Sequence, residues 1–164
     1  MDVITYTGIG ADELASILDR GTAENGHPIT PFTDDDGGWP LRCCLRDSAP
    51  GDRLAIIAFS PFPWTGPYRE TGPIVVHSED CPGATNGYPS QFDQRDQVIR
   101  AFGDDAGRHR TQVYDLNRLV RAGDGLEAAV REALRDDRVE FVHVHNVLSQ
   151  CYSFTAARAT KSHH

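Results

Sequence analysis

The run "VEFVHVHNVLSQCYSFTAA", Val139 to Ala157, holds two stretches rich in β-branched and aromatic residues, parted by a few polar ones. Such residues suit the pleated, half-buried surface of a sheet. The pattern predicts strands over Val139–Val147 and Cys151–Ala157, joined by a short turn into a hairpin. Just upstream, "GDGLEAAVREALRDDR" (Gly123–Arg138) predicts the clearest helix of the chain. Its Leu126, Ala129, Val130, Ala133 and Leu134 form one apolar stripe, and Asp124 with Glu127 has capping-box spacing.

Working outward, Asp2–Ile9 alternates as a first strand at a sheet edge, and "ADELASILDRG" (Ala11–Gly21) is a helix stopped by glycine. "LRCCL" (Leu41–Leu45) and "RLAIIAFS" (Arg53–Ser60) follow, and Leu54–Phe59 is apolar on both faces, as a doubly covered central strand would be. Further strands are expected at Ile74–His77, Gln97–Phe102 and Thr111–Leu116. Between them lie three long irregular segments, 22–40, 61–73 and 79–95, rich in proline and glycine. Loops of that length are usually functional or mobile. Asp34, Asp35 and Asp36 lack the alternating acid spacing of a calcium loop and are expected to be a solvated acidic turn. Consecutive strands with two main helices define an α+β fold, its mostly antiparallel sheet carrying long Pro/Gly-rich loops. We expect a single domain over residues 1–160. The final "KSHH" (161–164) is expected to be a tag remnant, so His163 and His164 are set aside as ligands.

The 164 residues carry 24 acidic against 16 basic side chains, a net charge of −8. That field repels polyanions, and the densest basic stretch, "GRHR" (Gly107–Arg110), follows directly on "GDDA", so nucleic acid is not an expected partner. No apolar run approaches the roughly 20 residues needed to span a bilayer, and the N-terminus lacks signal-peptide character. The expected compartment is the cytoplasm, with no membrane partner. Cys43, Cys44, Cys81 and Cys151 fit neither a secreted disulfide framework nor Cys-x-x-Cys spacing.

Side chains alternate along a strand, so His143 and His145 share one face, roughly 7 Å apart at the backbone. Two imidazoles so placed suit either a metal, with His77 and then Cys81 or Glu79 as further ligands if the strand ending at His77 lies alongside, or a polar pocket. An extended "LRCCL" would send Cys43 and Cys44 to opposite faces, with Arg42 on the side of Cys44, where a guanidinium favours thiolate. Asn146 and Cys151 face each other across the expected hairpin. Tyr68 and Trp64, on a proline-stiffened loop, either line a pocket or pin the loop onto the sheet. No glycine-rich phosphate loop, nucleophile elbow or zinc-protease helix is present, which leaves the cofactor open.

"GWPLRCCLRDSAPGDRLAIIAFSPF", "GPYRETGPIVVH", "VIRAFGDDAGR" and "DDRVEFVHVHNVLSQCYSF" together resemble the bacterial domain of unknown function 1203 family, over roughly residues 38 to 158. The matching residues include Gly38, Pro40 and Arg42, then Pro67, Tyr68, Gly72, Pro73 and His77, then the Val-His-Val-x-Asn strand. Gln150 stands where the family usually has glycine and Tyr152 where it has phenylalanine, which puts the shape of the hairpin turn in question. The resemblance implies a bacterial single domain, and no reaction, substrate or cofactor.

Two functions fit these residues. One is a small-molecule site, enzyme-like, where Arg42 and Tyr68 orient an anionic or polar ligand, the His143/His145 strand moves protons or holds a metal, and Cys44 or Cys151 assists. The other is a non-catalytic protein-interaction module, with structural histidines. An open strand edge also leaves room for a homo-oligomer.

Overall fold

A computed structural model describes residues 2–85 and 87–159; the terminal "KSHH" lies outside them. The elements run β1 (Ile4–Thr7), α1 (Ala11–Arg20), β2 (Phe32–Thr33), β3 (Arg53–Phe59), β4 (Gly72–His77), β5 (Gln97–Asp105), β6 (Arg108–Gln112), β7 (Arg118–Val120), α2 (Leu126–Leu134), β8 (Val139–Asn146) and β9 (Tyr152–Arg158). Short 3₁₀ turns occupy Ser90–Gln94 and Tyr114–Leu116. The larger sheet has the order β1-β9-β8-β5-β6, with β7 also on β5, and the smaller has the order β2-β3-β4. Every strand pairing is antiparallel. The fold is therefore α+β with mostly antiparallel sheet, held in two sheets rather than one.

The hairpin Val139–Ala157 is the spine of the larger sheet. Its β8 pairs with β9 on one side and β5 on the other, Val144 facing Phe154 and Ile99. α2 lays Leu126, Ala129, Val130, Ala133 and Leu134 over one face, against Ile99, Val142, Val144, Phe154 and Ala156. Burying each large aliphatic side chain there stabilises the fold by about 1.5–3 kcal/mol. α2 starts at Gly125 (φ 83°) with no side-chain cap, so the capping box expected from Asp124 and Glu127 does not form. The loop from Pro61 covers the opposite face, where Phe62 and Trp64 pack on Phe102 and Phe141. Of the two readings of Trp64, pinning the loop is the one realised.

The smaller sheet and α1 enclose a second core around Leu14, Ile17, Leu54, Ile57, Ile74 and Val76. β3 is not doubly covered along its whole length as its sequence suggests: Leu54 is fully buried, but Ile56 on the same face is 52 % exposed. "LRCCL" is a turn rather than a strand, with Leu45 left-handed at φ 58°. Backbone bonds from Arg42 N to Val75 O and from Ile9 N to Arg42 O dock this turn between β4 and the end of β1. Gly8 permits that approach, since a Cβ there would lie 1.9 Å from the Arg42 carbonyl oxygen. Asp34 is buried rather than solvated. Its carboxylate accepts from Ser48 Oγ (2.5 Å) and from the Gly37 backbone (3.0 Å), so it pins the acidic turn to the chain beyond Pro40.

Candidate functional site

Where the β8–β9 turn meets the start of β4 and the loop before it, a pocket of about 230 Å³ opens. Phe59, Phe62 and Pro73 form its apolar wall, and Glu70, His145, Cys151 and Gln150 bring polar atoms to it. His145 reaches it because the strand alternation turns its ring to the loop-covered face just as β8 runs out into solvent. Its Nδ1 lies 2.9 Å from the Gln150 carbonyl oxygen. A carbonyl only accepts, so Nδ1 carries the hydrogen and Nε2 keeps the lone pair. Burial lowers the His145 pKa, opposed by the Gln150 bond and aided by Arg100, so the ring is neutral at pH 7. Glu70 is held ionised by the Arg100 guanidinium, whose Nη1 and Nη2 donate to its two oxygens at 3.0 and 2.6 Å.

The hairpin turn is built to hold this shape. Asn146 Oδ1 accepts from the backbones of Leu148 (3.0 Å) and Ser149 (3.2 Å), and Ser149 Oγ accepts from Cys151 N (3.3 Å). Gln150 takes the left-handed conformation, φ 61°, that glycine would adopt at no steric cost. Glutamine here therefore keeps the turn and stores a small strain in it.

The remaining residues singled out in the sequence lie elsewhere. His143 is fully buried in an aromatic cage, with ring centroids 4.7 Å from Phe62, 4.8 Å from Phe141, 5.2 Å from Phe102 and 5.4 Å from Tyr152. Neither of its nitrogens has a hydrogen-bond partner of normal geometry, and burial holds its pKa well below the usual histidine range. Arg42 is buried too. Its Nε donates to the Tyr152 carbonyl (2.7 Å) and its Nη1 to the Pro40 carbonyl, so it braces β9 behind the pocket. Burial lowers its pKa, and the neighbouring Cys151 and Tyr152 raise it again. Tyr68 packs edge-on to Phe102, 6.3 Å between centroids, and shares a 2.5 Å hydrogen bond with the Tyr114 hydroxyl. Asn146 serves the turn. Of the sequence candidates, His145 and Cys151 alone line this pocket.

His77 is not beside the histidine strand, because β4 pairs with β3 in the smaller sheet. It meets the cysteines instead. Donor atoms of Cys43, Cys44, His77 and Cys81 all lie within 4.8 Å of one another. The turn at Arg42–Cys44 makes this convergence, since an extended strand would send the adjacent thiols to opposite sides. The hydrogen bond between these two thiols draws the Cys44 pKa down to about 5 and pushes that of Cys43 up. Cys81 was within reach of His77 as a further ligand, whereas Cys43, Asp52 and Glu70 carried no such signal. "CC" followed much later by "HSEDC" was the readable trace of the cluster, and nothing in the sequence pairs Glu70 with Arg100.

Two helices and two antiparallel sheets define an α+β domain. The family model described as a protein of unknown function (DUF1203) matches residues 38–158, and the chain belongs to that family. No curated protein and no solved structure gives a significant match. Among the described residues no helix is long and apolar enough to cross a membrane.

Proposed function

We propose that the protein is a small-molecule-binding, enzyme-like domain whose ligand occupies the pocket between His145, Cys151 and Glu70. The observation that supports this reading most is the fixed tautomer of His145, whose Nε2 lone pair is left for a ligand or a reacting proton. Glu70 adds a second acceptor, and no lysine or arginine is among the lining residues. The favoured ligand therefore presents O–H or N–H donors and a short apolar part for Phe59, Phe62 and Pro73. It is not the anion that a free Arg42 would have drawn. At about 230 Å³ the pocket is below the roughly 300–1,000 Å³ of drug-sized sites, which suits a molecule of metabolite size.

The test is a fragment screen with small alcohols, amines and amides, read by thermal shift and by the His145 ring signals in NMR. We expect hits that perturb those signals and vanish with His145→Ala, while Tyr68→Phe leaves them unchanged. Hits indifferent to both His145→Ala and Cys151→Ser would overturn the assignment. The interaction-module reading draws on Leu148, 94 % exposed at the hairpin tip. A partner lost on Leu148→Asp, with no fragment binding, would favour it.

A further inference from the structure

We propose that Cys43, Cys44, His77 and Cys81 form a structural zinc site, separate from the His145 pocket. Three thiols and one imidazole, all within 4.8 Å of one another, are close enough to surround one ion. With a Zn–S bond of about 2.3 Å, an ideal tetrahedral site separates its sulfurs by about 3.8 Å, so small side-chain shifts suffice. Cys43 and Cys44 are buried, Cys81 and His77 are half-buried, and none of the four cysteines of the chain is in a disulfide.

The imidazole is already oriented as a ligand. His77 Nδ1 faces the Cys43 sulfur at 3.4 Å, while Nε2 lies 3.2 Å from Asp52 Oδ2. That same oxygen accepts from the Ala49 backbone at 2.9 Å. A carboxylate that takes the outer N–H and turns the inner nitrogen to the metal is the usual support of a bound histidine. The backbone prepares the thiols independently, because the Arg42–Val75 bond docks the cysteine turn on the strand that ends at His77. Soft thiolates exclude calcium and magnesium, and four protein donors leave no open position, so the site is structural rather than catalytic. Three thiolates, one neutral imidazole and Zn²⁺ sum to −1, a charge that nearby Arg46 offsets. The metal would clip the 78–81 segment and the cysteine turn to the smaller sheet.

The experiment uses untagged protein purified under reducing conditions and loaded with zinc or, as a spectroscopic probe, cobalt. We expect one metal per chain, with the intense visible bands of a tetrahedral cobalt–thiolate site. Cys81→Ser, on a loop where circular dichroism reports retention of the fold, abolishes those bands. Asp52→Asn weakens zinc about 10–100-fold, the cost of losing such a supporting carboxylate. His145→Ala and Cys151→Ser bind metal as the parent does. Substoichiometric metal after loading, or a cobalt spectrum unchanged by Cys81→Ser, would overturn the site. Metal lost on His145→Ala would do the same.

Discussion

His143 is the residue whose burial carries the largest consequence. An imidazole without a well-formed hydrogen bond costs about 1–3 kcal/mol relative to a satisfied one, and it stays neutral because burial, with His145 and Arg100 nearby, outweighs the Pro61 backbone that favours a proton. Its folded pKa lies below its unfolded value near 6.5, so the unfolded chain takes up the proton first. Stability is therefore intact above about pH 6.5 and falls by about 1.4 kcal/mol for each unit below it, until the folded ring also protonates. His145, also lowered, adds to the same slope. His143→Leu keeps the cage apolar and should narrow the difference in unfolding free energy between pH 7 and pH 5. Denaturant melts at the two pH values measure this, and an unchanged slope would show that His143 is not its source.

Among the elements, the β8–β9 hairpin combines a strand pattern obvious in the sequence with a turn that is not. The alternation of Phe141, Val142, His143 and Val144 assigns both faces correctly. Near the turn the pairing shifts between Val144 and His145, and so Tyr152 and Phe154 end in different cores. The left-handed Gln150 costs the turn roughly 1 kcal/mol that glycine would not. Gln150→Gly should accordingly raise the melting temperature slightly and leave the His145 Nδ1–H to carbonyl bond in place, since only backbone is involved. A lower melting temperature would mean that the glutamine side chain contributes more than the strain removes.

Across the whole molecule, the acidic surface is organised by a few guanidinium groups. Arg138 joins Asp105 at the end of β5, Asp115 in the 3₁₀ turn and Asp136 after α2, with N···O distances of 3.2, 3.0 and 2.8 Å. Hydrogen bonds from the Arg138 side chain and backbone hold Asp136 down to about 2, and those from the side chain lower Asp115. A lowered carboxylate contributes stability above its unfolded pKa near 4 and loses it as pH falls toward the folded value. Acid unfolding should therefore have a histidine phase below about pH 6.5 and a carboxylate phase between about 4 and 2. Asp136→Asn should lower the melting temperature at pH 6 and not at pH 2. The shift will be small, because exposed ion pairs contribute little.

Local periodicity determined the two main helices, the hairpin and the antiparallel α+β class, because those depend on residues a few positions apart. It also put His145 and Cys151 at one end of the hairpin. Only the tertiary structure decided which histidine met solvent, that Arg42 was committed to the Tyr152 carbonyl 110 residues away, and that His77 joined Cys43 across 34. A strand pattern states which side chains share a face. What covers that face is set by the loops and the second sheet, whose docking rests on contacts between segments with no common period.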